Sequence, residues 1–598
     1  MNIEIIEVIT VVLFLMLALY FDWFRPLLTF ILAITILCIF KILEPKEALV
    51  GFGNDQIGVI LMLLILSDII NKANVLDLLV KRVFRPGLSY NRFMKRMMVG
   101  TSAISAFVNN TPLVAIMLPY VNEWAKRKKI SPSKVLLPLS YATMLGGTIT
   151  LIGTSTNLVV NGLAQEAAKT NPGIPSLGLF DFTPVGLPIA IVGILYLYFI
   201  GTKLLPARKN PLDDIKEKTR EYIVETVVPG GSKYIGKSID EASLRNLRGL
   251  YIVEIIRNNK VIAPVAPEEI IEENDSLIFA GDVETLIDIV KLSKDLSLPK
   301  QKYLSDKENL NLVDCIVSNG SSFAGLTVRE TNFRTIYDGA IVAISRDGER
   351  ISGKLGDVVI KSGDVLFVIG GNDFKELVAE RNELFIISET KEVGNLNKGK
   401  ITFLTVGTVL AFLLPAFDIL PLFVTLLILL CSIAIFKIAR LNDIKKTVDL
   451  DLVLILALSL GIGKAISKSG ADVLFAKGII DLVAPVGSVA AVLFGVYLVT
   501  NILAMLVTNK AAVAITFPIA VSAAHQIGLA NEAMTPFILA VALAGSAEFI
   551  TPYGYQTNLM VFGPGGYKFK DYIRVGLPLT ILYMIVCVGI LSFMYDLF

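Results

Sequence analysis

The sequence is short of the residues on which most soluble enzymes build their chemistry. It has one histidine, His525, and four cysteines, Cys38, Cys315, Cys431 and Cys587, among 598 residues. A histidine-based zinc site or catalytic triad is excluded by that count. The cysteines have no metal-ligand spacing and read as small buried hydrophobes. Charge is scarce as well: Asp, Glu, Lys and Arg make up 18% of the chain, against about 25% in soluble proteins. No nucleophile–base pair, dinucleotide fingerprint, Walker loop or potassium-filter sequence is present. An enzyme or an ion channel therefore has little to stand on, and no organic cofactor or nucleic-acid partner is expected.

What the chain has instead is apolar sequence, 54% by residue type. Residues 1–206 and 399–598 hold long apolar runs, whereas 207–398 has the composition of a soluble protein. A spanning helix needs about 20 predominantly apolar residues. Full spans are expected near 5–22, 27–43, 57–80, 135–165 and 184–205, then 401–415, 418–438, 452–466, 535–563 and 575–596. The start, Met1-Asn2-Ile3-Glu4, lacks the basic n-region of a signal peptide, so the first run is expected to be retained.

Positive charge orients these spans. The loop 81–96 carries Lys81, Arg82, Arg85, Arg92, Lys95 and Arg96, and the next carries Lys126, Arg127, Lys128 and Lys129. Both flank one apolar stretch, 97–122, and both belong in the cytoplasm. That stretch is therefore expected to enter and return as a re-entrant hairpin, with Asn109-Asn110-Thr111-Pro112 near its tip. The same logic makes 486–524 a second hairpin, dipping in from the opposite side. It places both termini outside the plasma membrane and 207–398 inside. Twelve plain spans, the alternative, would strand one basic loop.

Two internal repeats organise the chain. Asn110-Thr111-Pro112-Leu113-Val114-Ala115 aligns with Asn509-Lys510-Ala511-Ala512-Val513-Ala514 at an offset of 399. Ile149-Thr150…Gly153…Thr156-Asn157 aligns with Ile550-Thr551…Gly554…Thr557-Asn558, and Val185-Gly186-Leu187-Pro188 with Val575-Gly576-Leu577-Pro578. Five spans and one hairpin in each half make the two topologies opposite. Inverted repeats with interrupted helices place a substrate site near the bilayer midplane. The second repeat lies in the soluble stretch at an offset of 89, pairing Gly236, Ile252-Val253 and Asp275 with Gly325, Ile341-Val342 and Asp364.

The expected architecture is thus a polytopic α-helical membrane protein of two inverted repeats. Repeat 1 is 1–206, with hairpin 97–122 and broken helix 135–165. Repeat 2 is 399–598, with hairpin 486–524 and broken helix 535–563. Between them lie a linker 207–219, a small α+β module 220–292, a linker 293–308 and a second module 309–388.

Polar runs inside apolar stretches carry the chemistry. An unsatisfied backbone group in hydrocarbon costs several kcal/mol, so Gly153-Thr154-Ser155-Thr156-Asn157 and Thr551-Pro552-Tyr553-Gly554-Tyr555-Gln556-Thr557-Asn558 are expected to line a site. Hydroxyls, side-chain amides and unwound carbonyls suit a hard cation such as sodium, while helix N-termini suit an anion. The plain alternative is that these groups only join helices. The halves are unequal: Ser105 corresponds to Ala504, and Thr111 to Lys510. An intramembrane lysine is a functional-site candidate. Lys510 replaces one coupling cation or touches the anion; otherwise it snorkels to the interface or pairs with Glu548, the other charge candidate.

These motifs resemble the divalent anion/sodium symporter family, which includes sodium/sulfate and sodium/dicarboxylate carriers, over both membrane halves. The family's hairpin-tip motif reads here as Asn109-Asn110-Thr111 and Thr508-Asn509-Lys510. The resemblance implies sodium at Ser105, Asn109, Asn110, Gly153 and Asn157. It implies substrate at Asn110, Thr111, Thr154, Ser155, Asn509, Lys510, Tyr555 and Thr557. A second-half cation site at Thr508, Asn509, Gly554 and Asn558 is put in doubt by Lys510 and Ala504. The modules resemble the C-terminal regulatory modules (TrkA-C type) of potassium-uptake proteins, some of which bind cyclic dinucleotides, and the family implies a homodimer. The expected function is sodium-coupled transport of sulfate or a similar dianion by alternating access. A C4-dicarboxylate carrier or exchanger with reduced sodium dependence is the alternative.

Overall fold

The computed structural model describes residues 3–21, 23–72, 88–208, 223–244, 250–258, 260–262, 265–266, 268–281, 295–297, 312–318, 321–346, 349–351, 355–371, 373–381, 383–387, 398–417, 419–436, 438 and 450–597. The first half contains α1 (Ile3–Tyr20), α2 (Pro26–Ile39), α3 (Asp55–Lys72), α4 (Tyr90–Ser105), α5 (Asn110–Arg127), α6 (Leu136–Gly147), α7 (Ser155–Thr170) and α8 (Thr183–Tyr196). The second contains α9 (Lys398–Ala416), α10 (Leu422–Ile435), α11 (Leu450–Ser469), α12 (Ala471–Val483), α13 (Val489–Leu506), α14 (Asn509–Gln526), α15 (Thr535–Gly545), α16 (Gln556–Gly565) and α17 (Phe569–Met594). Among the described residues, Ile3–Tyr20, Thr183–Leu204, Val489–Leu506 and Phe569–Met594 are long and apolar enough to cross a membrane. Shorter apolar helices accompany them, and the whole is a multi-pass membrane protein.

Several boundaries differ from the sequence expectation. The span expected over 452–466 is α11, which runs on to Ser469 and then bends by 76° into α12. The bend falls at Gly470, whose φ of +79° lies in the left-handed region that glycine adopts without steric cost. The span near 57–80 and the first basic loop are only partly seen, because 73–87 lie outside the described residues. The stretch 97–122 belongs to two longer helices, α4 and α5, which begin and end in the basic flanks. Both stretches expected as broken helices contain two helices and a non-helical segment, 148–154 between α6 and α7 and 546–555 between α15 and α16.

Close backbone approach explains the paired glycines in the last helix of each half. A Cβ on Gly186 would lie 2.3 Å from the Thr148 carbonyl oxygen, and one on Gly576 would lie 2.0 Å from the Phe549 carbonyl oxygen. Each glycine therefore lets α8 or α17 lie directly on the break of its own half. Small residues serve this purpose between apolar helices, where van der Waals packing replaces the hydrophobic drive.

The insert forms two antiparallel sheets. The first holds β1 (Ile223–Val227), β2 (Leu250–Arg257), β3 (Lys260–Ile262) and β4 (Ser276–Gly281) in the order β1-β4-β2-β3. The second holds β5 (Leu312–Val317), β6 (Gly339–Arg346), β7 (Glu349–Arg350), β8 (Val365–Gly370) and β9 (Leu384–Ile386) in the order β7-β6-β8-β5-β9. The β2–β4 ladder slips between Ile252 and Glu254, and the β6–β8 ladder slips between Ile341 and Ala343. Those positions correspond at the sequence offset. The same ion pair also recurs: Arg257 Nε donates to Asp275 at 2.9 Å, and Arg346 Nε to Asp364 at 2.8 Å. Asp275 and Asp364 are buried, and the hydrogen bond to Asp275 raises the Arg257 pKa further above its ordinary range.

Along β8, Leu366 and Val368 enter the core of the second sheet, whereas Val365, Phe367 and Ile369 face the other way. That outer face is continuous with the helical core. Val365 packs on Gly563, and the turn at Gly363 (φ +85°) meets Leu559. The second sheet therefore rests on α16, a few residues beyond the break.

Candidate functional site

Three helix N-termini come together around Tyr555. Asn110 begins α5, Thr154 precedes α7, and Tyr555 itself precedes α16. Asn110 Nδ2 donates to the Tyr555 hydroxyl at 2.5 Å, and that hydroxyl shares a hydrogen bond of 3.1 Å with Thr154 Oγ1. Beside them, Thr111 Oγ1 donates to Gln556 Oε1 at 3.2 Å. Helix N-termini carry unpaired N–H groups and the positive end of the helix dipole, so this junction suits negative charge.

The other side of Asn110 is arranged differently. Ser105 Oγ donates to Asn110 Oδ1, and both residues are buried. Gly147 stands against the amide; a Cβ there would lie 2.6 Å from Oδ1 and 2.9 Å from Nδ2. Gly153 packs on the Gly147 and Ser105 carbonyl oxygens. Asn157 Nδ2 donates to the Thr150 carbonyl at 2.9 Å, while its buried Oδ1 has no hydrogen-bond partner among the described residues. The oxygen of Asn110 thus faces the Ser105 hydroxyl, and its nitrogen faces the Tyr555 hydroxyl. Asn109 and Ser155 are half-buried beside this group and edge an apolar cavity of about 420 Å³ between α3, α9 and the first tip.

The corresponding region of the second half has another chemistry. Thr508 Oγ1 accepts from Ala511 N at 3.3 Å and caps α14. Asn509 and Lys510, the first residues of that helix, are half-buried. Glu548 occupies the sequence position of Gly147. Its carboxyl is fully buried beside the Asn509 side chain, and among the described residues neither oxygen has a partner in good hydrogen-bond geometry. Gly554 and the Thr551 hydroxyl flank it, and Gly554 N donates to Thr551 Oγ1 at 3.0 Å. Asn558 holds the break closed, donating to the Glu548 and Thr551 carbonyls at 2.9 and 3.1 Å. Its Oδ1 accepts from Ser140 Oγ at 2.7 Å, and the same hydroxyl shares a hydrogen bond of 3.0 Å with Thr557 Oγ1.

A family described as citrate transporter matches residues 11–544. The chain belongs to that family. It is 31% identical to a protein of Chlamydomonas reinhardtii described as a candidate regulator of the sulfur deprivation response, over 93% of this chain and 96% of the other. It is 22% identical to sodium/sulfate cotransporter 2 of the same alga, over 96% of this chain and 88% of that one. A sodium-dependent dicarboxylate transporter of Staphylococcus saprophyticus matches at 27% identity over 36% of this chain and 40% of its own. The family and these carriers are transporters, so the frame for this site is secondary transport of a small anion.

Within this family member, the structure brings Ser105, Asn110, Thr111, Gly153, Thr154 and Tyr555 into one group. It sets Asn509, Gly554 and Glu548 in another, and turns Thr557 toward Ser140 on α6. Gln556, Gly147 and Ser140 have no role in the sequence expectation. Gln556 lies in the polar run 551–558, but its partner Thr111 is 445 residues away. The gap at Gly147 shows only once the two halves are aligned through Thr150 and Thr551.

Proposed function

We propose that this protein imports sulfate or a similar small divalent anion, coupled to sodium, by alternating access across the plasma membrane. The observation that carries this reading is the meeting of the α5, α7 and α16 N-termini, with the donors of Asn110, Thr111 and Thr154 gathered there. A dianion placed among them gains charge-assisted hydrogen bonds and favourable helix dipoles. Sodium is assigned to the opposite face of Asn110. Ser105 Oγ, Asn110 Oδ1, Asn157 Oδ1 and carbonyls of the break are neutral oxygens of the kind that hold sodium in broken-helix carriers. The unpartnered Asn157 Oδ1 is the observation that favours a ligand there. Asn110 then joins the two solutes, oxygen toward the cation and nitrogen toward the anion.

In this reading both termini are outside, the 207–398 insert is cytoplasmic, and the two hairpins are re-entrant. The inserted sheets act as control modules of the TrkA-C type, and the contact of the second sheet with α16 at Gly363 and Val365 supports that role. A homodimer and a cyclic dinucleotide are the partners the family resemblance suggests for them. The names of the algal sodium/sulfate cotransporters favour sulfate.

A second reading, a C4-dicarboxylate carrier with reduced sodium dependence, rests on Lys510 at the start of α14. A fixed charge there would take the place of one cation. Counterflow of labelled sulfate, succinate and citrate in proteoliposomes, with and without a sodium gradient, separates the readings. Sodium-dependent sulfate uptake supports the first; sodium-independent succinate exchange with no sulfate uptake refutes it in favour of the second.

A further inference from the structure

Resting on the anion-transport reading, we infer that Tyr555 and Gln556 are a tethered competitor for the transported anion, and that Tyr555 sets the carrier's affinity by occupying the anion's own donors. The donors that an anion requires are not idle in this conformation. Asn110 Nδ2 is given to the Tyr555 hydroxyl at 2.5 Å, Thr154 Oγ1 shares that hydroxyl at 3.1 Å, and Thr111 Oγ1 is given to Gln556 Oε1 at 3.2 Å. The two accepting oxygens come from consecutive residues of the second half. The donors, Asn110 and Thr111, come from the tip of the first, and Thr154 in its break shares the phenol hydroxyl. A phenol oxygen and an amide oxygen therefore stand where two oxygens of a dianion would be held.

The exchange has a definite direction. Hydrogen bonds to a charged acceptor are roughly twice as strong as neutral ones, and the three helix N-termini favour a full negative charge over a neutral dipole. A dianion can displace the pair, whereas a neutral molecule of the same size offers nothing better than what Tyr555 and Gln556 supply. The lock thus contributes selectivity for charge while lowering affinity for the correct solute. A binding-competent state that is only partly populated weakens apparent affinity by that fraction. Displacement also unties the first tip from α16, so anion binding changes a contact between the two halves.

Tyr555→Phe keeps the ring and removes only the hydroxyl, which gives the two roles open to Tyr555 opposite signs. As a competitor, its loss lowers the KM for labelled sulfate by about fivefold, equivalent to one net hydrogen bond of about 1 kcal/mol. Gln556→Leu shifts KM in the same direction. As a direct anion ligand, its loss raises KM. A raised or unchanged KM in Tyr555→Phe overturns the inference. Hydrogen–deuterium exchange without added anion provides a readout that does not depend on transport. Amides of 106–111 and 553–558 exchange faster in Tyr555→Phe than in the wild type if the lock exists, and equal rates overturn it. Should the wild type take up neither sulfate nor succinate, the proposed function fails by itself, and the exchange comparison still decides whether the lock is real.

Discussion

Gly147 and Asn110 are packed so closely that a methyl group on the glycine would lie 2.6 Å from the amide oxygen and 2.9 Å from its nitrogen. Asn110 is the residue whose oxygen faces Ser105 and whose nitrogen faces Tyr555. Its position is therefore set by the absence of a side chain on the neighbouring helix.

Gly147 is the last residue of α6, so an alanine there leaves the body of the helix unchanged and acts through the contact with Asn110. The expected outcome is normal folding with the sodium concentration for half-maximal uptake raised about tenfold, the equivalent of a displaced hydrogen-bonding group. Sodium titration of labelled uptake checks this, with size-exclusion behaviour as the folding control.

Glu548 carries a different expectation. Its carboxyl is buried beside Asn509, and among the described residues neither oxygen has a partner in good hydrogen-bond geometry; a buried polar group left unsatisfied destabilises a protein by about 1–3 kcal/mol. Glu548→Met should raise the thermal midpoint of the purified protein while abolishing transport, the trade of stability for activity expected at a functional site. A lowered midpoint would show that the carboxyl makes a structural bond in the folded state.

In the insert, Arg257 and Arg346 hold buried Asp275 and Asp364 in matching ion pairs. Removing one partner of a buried pair costs about 3–5 kcal/mol. Arg257→Ala and Arg346→Ala should each destabilise their own sheet by a similar amount. Limited proteolysis of the full chain should then cut within 223–281 for the first variant and within 312–387 for the second. Cleavage confined to one sheet in both cases would contradict the equivalence of the two pairs.

The contact between the second sheet and α16 is testable by a double-mutant cycle. Gly363→Ala meets two penalties: a positive φ of +85° and a Cβ 2.6 Å from the Leu559 side chain. Leu559→Ala relieves only the second. The double variant should recover part of the stability lost in Gly363→Ala, by about 0.5–3 kcal/mol of coupling, measured by thermal unfolding. Strict additivity would place the sheet away from α16 in solution.

Much of this organisation is legible in local sequence. Apolar runs mark the helices, and Gly-Thr-Ser-Thr-Asn inside one of them marks a break, because polar backbone in hydrocarbon must be satisfied. The matches of Asn110 with Asn509, of Gly186 with Gly576, and of Asp275 with Asp364 expose the duplications without coordinates. Such features depend on residue type and short spacing, so the sequence by itself determined them. Tertiary packing decided the rest. It alone joins Asn110 to Tyr555 and Thr111 to Gln556 across 445 residues, sends Thr557 to Ser140, and buries the Glu548 carboxyl beside Asn509. It also bends α11 into α12 and lays one sheet against Leu559. Periodicity records which face of a helix is apolar, but a hydrogen bond between helices depends on their relative height and rotation. Those are set by glycine contacts and side-chain volumes summed over the whole bundle.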